Sequence, residues 1–249
     1  MNGTIRLAWA ELRKLVTTRA LPVGVAIALA LAIGSVLIDA MVAGRNGQPR
    51  LGTDASTGQM LKFGAIPCAV MLIVGILAAG SEFRHRTIIP ALLATPRRSR
   101  LFAVKVAVVA VTGAAVSAAV FGLGLAAIIL ELSAHGIHHL PAGTARLYAG
   151  TVISSACFAM IGVALGTLTR NTVGAIIASV AWTLFIEQVI LRAAAPGIEK
   201  WLPANAAIGL TSAPGPGSLS PAVAGVILTG YATGLLALAS RTTIRRDIA

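Results

Sequence analysis

Few residues in this chain can do chemistry, and their spacing narrows what that chemistry is. His135, His138 and His139 form a His-x-x-His-His cluster able to offer imidazoles to a metal. Only His85 remains elsewhere, so a multi-histidine centre lacks ligands and an ordinary loop is the better reading. No Gly-x-x-x-x-Gly-Lys-Ser/Thr phosphate cradle occurs, nor a His-Glu-x-x-His zinc site or a Gly-x-Ser-Gly serine site. Cys68 and Cys157 fall in apolar runs, where a thiol behaves as a small hydrophobe. No catalytic, cofactor-binding or metal-ligating residue is assigned, and an enzyme is disfavoured for want of a complete constellation. What remains is acids in costly places. Glu187 lies fourteen residues into an apolar run, about 21 Å along a helix. An ionisable group at that depth is functional by default. With Gln188 it either lines a pathway or forms a polar lock on the element that follows. Asp39 and Glu131 sit at the ends of apolar runs, where water and headgroups solvate them.

The elements that position these groups are membrane spans. The 249 residues are 57% hydrophobic and only 11% charged, with a mean hydropathy of +0.87, which leaves too little polar surface for a water-soluble globule. Runs long enough to cross a bilayer occupy 21–41, 63–80, 102–132, 147–168, 173–191 and 222–240, giving six spans in a single domain over 1–249. The expected fold is an all-α integral membrane protein. The third run covers thirty-one residues, about 46 Å against a hydrocarbon layer of about 30 Å, so it is expected to tilt or bend near Gly122 and Gly124 with Lys105 outside the hydrocarbon. The first run is read as a retained span, since no small-residue cleavage pattern follows it.

Charge sets orientation. The formal net charge is +12. Aromatics are only 4%, which leaves no bases-and-phosphates grip, and nucleic acid is not an expected partner. Counting Lys and Arg in alternate connections places fourteen on the side of the amino terminus and six on the other. The positive-inside rule then puts both termini in the cytoplasm, and a bacterial inner (plasma) membrane is the expected location. Residues 1–19 place Ile5, Ala8, Trp9, Leu12 and Val16 at helical spacing with Arg6, Arg13 and Lys14 in other directions, predicting an amphipathic helix on the cytoplasmic surface. The stretch from 201 to 240 is uncharged but broken by Pro203, Pro214, Pro216 and Pro221. Its first part, too short to span, is either a re-entrant external element or an apolar loop. Gly162-x-x-x-Gly166 and Gly230-x-x-x-Gly234 allow close helix approach, within the chain or between two copies.

The segment 81–100 is basic at both ends and apolar in its middle. Pro90 suits a first helical turn and Thr95-Pro96 ends it, predicting a short cytosolic helix that exposes Leu92 and Leu93 for docking or for rest on the membrane.

Three stretches in this order, Trp9-Ala10-Glu11-Leu12-Arg13-Lys14-Leu15, Glu82 through Arg100, and Trp201-Leu202-Pro203-Ala204-Asn205, with the six-span layout, resemble the type 2 export family of ATP-binding-cassette (ABC) transporter permeases. The resemblance covers most of the chain. It implies a coupling helix between spans two and three that contacts a separate cytoplasmic ATP-binding subunit, through Glu82, Arg84, Arg86, Thr87, Leu92, Leu93, Thr95, Pro96 and Arg97. It also implies pairing with a second permease chain as a homodimer, ATP and Mg held by the partner subunit and no cofactor here, and export of a small or lipophilic compound. The competing readings are a substrate-binding membrane module and an ion-coupled secondary carrier without an ATPase; a carrier calls for several midplane ionisable groups, and the chain offers essentially one.

Overall fold

The computed structural model of the chain describes residues 3–45, 47–84, 98–191, 193, 197–212 and 218–245. Every regular element among them is helical. In chain order these are α1 (Gly3–Thr17), α2 (Ala20–Val42), α3 (Asp54–Met60), a 3-10 turn (Leu61–Ala65), α4 (Ile66–Arg84), α5 (Arg98–Ala134), α6 (Thr144–Thr169), α7 (Thr172–Ala181), a π-helical segment (Trp182–Leu191), a second 3-10 turn (Glu199–Trp201), α8 (Pro203–Thr211) and α9 (Pro221–Arg245).

Six of the helical stretches are long and apolar enough to cross a membrane: Ala20–Val42, Asp54–Ser81, Ser99–Ala134, Thr144–Thr169, Thr172–Val189 and Pro221–Thr242. These fit a multi-pass membrane protein and match the six runs read from the sequence. The second begins earlier than residue 63, because α3 and the 3-10 turn stack ahead of α4. Thr53 starts that stack, its hydroxyl accepting from the Ser56 N–H at 3.2 Å. The third is one helix of 37 residues, about 55 Å long. Gly124 serves close approach there: a Cβ would strike the Phe63 ring, whereas one at Gly122 would meet nothing. Gly124 therefore has a packing role that its sequence context did not assign.

The bundle has a centre and a periphery. Within the most apolar windows of the spans, 67% of α6 and 61% of the α3–α4 stretch are buried, against 22–33% of the others, so α4 and α6 form the inner pair and the remaining helices surround them. That pair meets through glycine. A Cβ on Gly75 or Gly162 would strike backbone of the facing helix, and one on Gly166 would lie 2.6 Å from the Ile76 carbonyl oxygen. The first small-residue motif therefore packs within the chain. The second does not: Gly230 and Gly234 face open space on α9. Buried Leu72, Ile76, Cys157, Phe158, Leu210 and Leu228 join α4, α6, α8 and α9 in one core. Val36, Met60, Phe63, Phe121 and Ile128 form a second between α2, α5 and the α3–α4 junction. Both cysteines are buried free thiols.

The fifth span departs from an even helix. Asn171 caps α7, its side-chain oxygen accepting from the Gly174 N–H at 3.0 Å. The regular turn then opens at Trp182 into π-helical geometry. The Thr183 hydroxyl donates to the Ser179 carbonyl at 2.9 Å, a back-bond that competes for an acceptor where the helix widens. The stretch following residue 201 is a packed helix rather than an apolar loop. At nine residues, or about 14 Å, α8 cannot span a bilayer, and it buries Ala206, Ala207, Leu210 and Thr211.

Candidate functional site

Among the described residues two acids are buried, Glu11 and Glu187. The first, Glu11, lies on α1 and is 4% exposed. One carboxylate oxygen accepts from Lys105 Nζ on α5 at 2.9 Å, and the other from Lys14 Nζ one turn away at 2.6 Å. Burial opposes the charge on Glu11, but Lys105 beside it and the hydrogen bonds from both lysines outweigh that and hold the carboxyl below the usual carboxylate range. A second tie joins the same two helices, the Arg100 guanidinium donating to the Thr4 hydroxyl. The helix α1 is thus clamped to the start of α5 as well as carrying exposed Ile5, Trp9 and Val16. Lys105 is 6% exposed, packed within the protein. The sequence held a signal for the clamp: Glu11 is the single acid among residues 1–19, which carry four basic residues.

The second acid, Glu187, is fully buried on the π-helical segment. Its Oε2 accepts from the Ala204 N–H at 2.9 Å. Ala204 is in the first turn of α8, whose own cap residue Leu202 supplies no side-chain acceptor. The carboxylate of a residue seventeen positions earlier therefore occupies the capping role, where the helix dipole also favours a negative group. Gln188 points elsewhere: with Cys68, Phe158, Thr183 and Ala207 it lines a cavity of about 210 Å³. A neighbouring cavity of about 360 Å³, walled by Phe158, Trp182, Thr183 and Tyr231, shares Leu72, Phe158 and Thr183 with it. Glu187 lines neither. The two adjacent side chains thus part company, Glu187 toward α8 and Gln188 toward a cavity.

Of the residues that the family resemblance assigns to coupling, Arg86, Thr87, Leu92, Leu93, Thr95, Pro96 and Arg97 lie outside the described residues. Glu82 and Arg84 are on the last turn of α4. The histidine cluster follows α5, with His135 Nδ1 at 2.9 Å from the Glu131 carbonyl oxygen. Among the described residues no three His, Cys, Asp or Glu gather where a metal could be held. Sequence reasoning missed the Glu11–Lys105 pair because its partners are 94 residues apart.

No family model matches this sequence, and no curated protein matches it.

Proposed function

We propose that this chain is the membrane-spanning permease subunit of an ATP-driven exporter, recruiting a separate cytoplasmic ATPase subunit and working as a homodimer in a bacterial inner membrane with both termini inside. The order and placement of the segments resembling ABC permeases motivate the reading. The observation that carries it is the clamp that follows the basic connection 85–97. The chain leaves α4 at Arg84, returns at Arg98, and within eight residues is tied through Arg100 and Lys105 to α1. In this reading a force applied to Leu92 and Leu93 by the closing ATPase is delivered to one long rigid helix and to α1 together. The spans then shift between inward-open and outward-open arrangements. The open glycine face of α9 at Gly230 and Gly234 is a pairing surface for the second copy. Glu187 acts as a lock that holds α8, on the outer side, against the fifth span, and Gln188 borders the space open to a lipophilic cargo.

The test is functional. Full-length protein purified from its native membrane should bring a Mg-ATP-hydrolysing subunit with it, and replacing both Leu92 and Leu93 with Asp should abolish stimulated hydrolysis without altering insertion. Unchanged stimulation in that variant, or transport by the chain alone in liposomes without ATP, overturns the reading. The carrier alternative draws on one observation, a π-helical break beside a buried acid. Ion-gradient-driven uptake lost in Glu187→Gln would favour it.

A further inference from the structure

We infer that the cavity between α6, the fifth span and α9 is a binding site for an aromatic lipophile that carries a hydrogen-bond donor, a phenol or an aryl N–H. Binding there needs neither ATP nor a second subunit, so it stands or falls apart from the exporter reading. The cavity holds about 360 Å³, within the range of ligand sites. The chain has only three Trp, two Tyr and six Phe, and one of each, Trp182, Tyr231 and Phe158, meets here. Phe158 is 5% exposed and forms the buried floor, whereas Trp182 and Tyr231 are 44% and 37% exposed. These two belong to the fifth and sixth spans. The mouth therefore opens between two spans, and a ligand that reaches it must first dissolve in the bilayer.

The hydroxyls choose the polar part of the ligand. Thr169, Ser179 and Thr183 all line the cavity, and each donates its proton to a backbone carbonyl one turn earlier. Thr169 donates to Leu165 at 2.9 Å, Ser179 to Ile176 at 3.0 Å and Thr183 to Ser179 at 2.9 Å. What such a hydroxyl still offers is its lone pairs. A ligand hydroxyl or N–H therefore finds acceptors in the wall, and a ligand without one leaves them facing hydrocarbon. The rings choose the rest. A flat aromatic ligand gains stacked or edge contacts with Trp182 and Tyr231 beyond the area it buries. A saturated acyl chain would meet the same rings and hydroxyls with neither a π-face nor a donor.

Contact quenching in lipid nanodiscs tests this, on the full chain carrying Trp9→Phe and Trp201→Phe so that Trp182 alone emits. The probes are a brominated hydroxybiphenyl and its methyl ether, since bromine quenches an indole only at contact. The phenol should quench saturably and bind about fivefold tighter than the ether, the contribution of one hydrogen bond. Ser179→Ala with Thr183→Val should erase that advantage and leave the ether unchanged. Ala178→Phe, which fills the wall from an exposed position, should abolish saturation for both probes, whereas Leu130→Phe on the exposed face of α5 changes neither. Quenching that never saturates overturns the proposal, as does equal affinity for phenol and ether, or an Ala178→Phe effect no larger than that of Leu130→Phe. Dodecanol supplies a donor without a ring; if it displaces the phenol as well as unbrominated hydroxybiphenyl does, the cavity belongs to a lipid chain and the aromatic assignment fails. Should the hydroxyl variant not assemble, the phenol–ether ratio in the parent chain decides.

Discussion

Glu11 and Glu187, the two buried acids among the described residues, meet opposite kinds of partner. Glu11, where α1 meets α5, faces two lysine ammonium groups at 2.6 and 2.9 Å. Glu187, on the fifth span, meets a backbone N–H at 2.9 Å, at the start of a short helix. The first arrangement sets formal charge against formal charge; the second matches an acceptor to the partial charge of a helix end. The difference follows from what lies within reach. Near the basic connection, Lys14 and Lys105 lie on two different helices within reach of Glu11, and the Lys105 stem crosses from one helix to the other. Within the apolar fifth span the donors within reach include the otherwise unsatisfied N–H groups at the start of α8, and the carboxylate accepts from one of them. One acid holds two helices together, and the other holds a helix that could not hold itself.

The comparison can be broken most severely at Glu11. Glu11→Ala takes one half of a buried ion pair away from Lys105 and should cost about 3–5 kcal/mol of stability, read as loss of thermal stability in detergent. Adding Lys105→Met should recover much of that. If the double variant is no better than the single one, the pair is not what the charge is for. At Glu187 the expected loss is smaller: Glu187→Leu leaves the Ala204 N–H without its acceptor, about 1–3 kcal/mol, with increased hydrogen exchange confined to α8. A third variant calibrates that value. Asn171→Ala removes a cap of the ordinary kind, supplied by the residue next to its helix, and should cost about 1 kcal/mol. A loss at Glu187 no larger than this would mean that α8 is held by its apolar packing alone. The smallest effect belongs to Glu187→Gln, where the amide oxygen still accepts from Ala204. Stability within about 0.5 kcal/mol of the native protein would show that the hydrogen bond matters and the charge does not.

Acidity separates the two in a different way. Because the Glu11 carboxyl is held below its ordinary range in the folded chain, its pairing stabilises α1 fully above that ordinary range. The contribution is lost as pH falls through the lowered value. Release of α1 from α5, followed by hydrogen exchange of residues 3–17, should therefore increase on acidification. In Glu11→Gln with Lys105→Met that dependence should vanish. An unchanged acid response would place the titrating group elsewhere.

Much of the architecture was legible in residue types. Six spans were readable because each must offer about twenty apolar residues to lipid, and their windows differ from the helices mainly at the ends. The amphipathic first helix was readable too, since its pattern repeats at helical spacing. The partner of that helix was not. Trp9 and Ile5 advertised a membrane face, while the buried contact runs through Glu11, a residue whose hydropathy suggests the opposite. The two Gly-x-x-x-Gly motifs have the same form, yet one is pressed against backbone and the other faces outward. A local pattern says that a helix can be approached closely and says nothing about which helix does so.

The amino-acid sequence by itself determined that this chain lives in a membrane-like environment, how often it can cross, and which connections carry positive charge, because each depends on composition summed over a window of neighbours. Tertiary structure alone decided that Glu187 caps α8 while Gln188 borders a cavity, that the fifth span opens into a π-helix, and that Glu11 finds Lys105 from 94 positions away. Those outcomes depend on single atoms brought to within about 3 Å by packing, and packing between distant segments leaves no periodic trace in the chain.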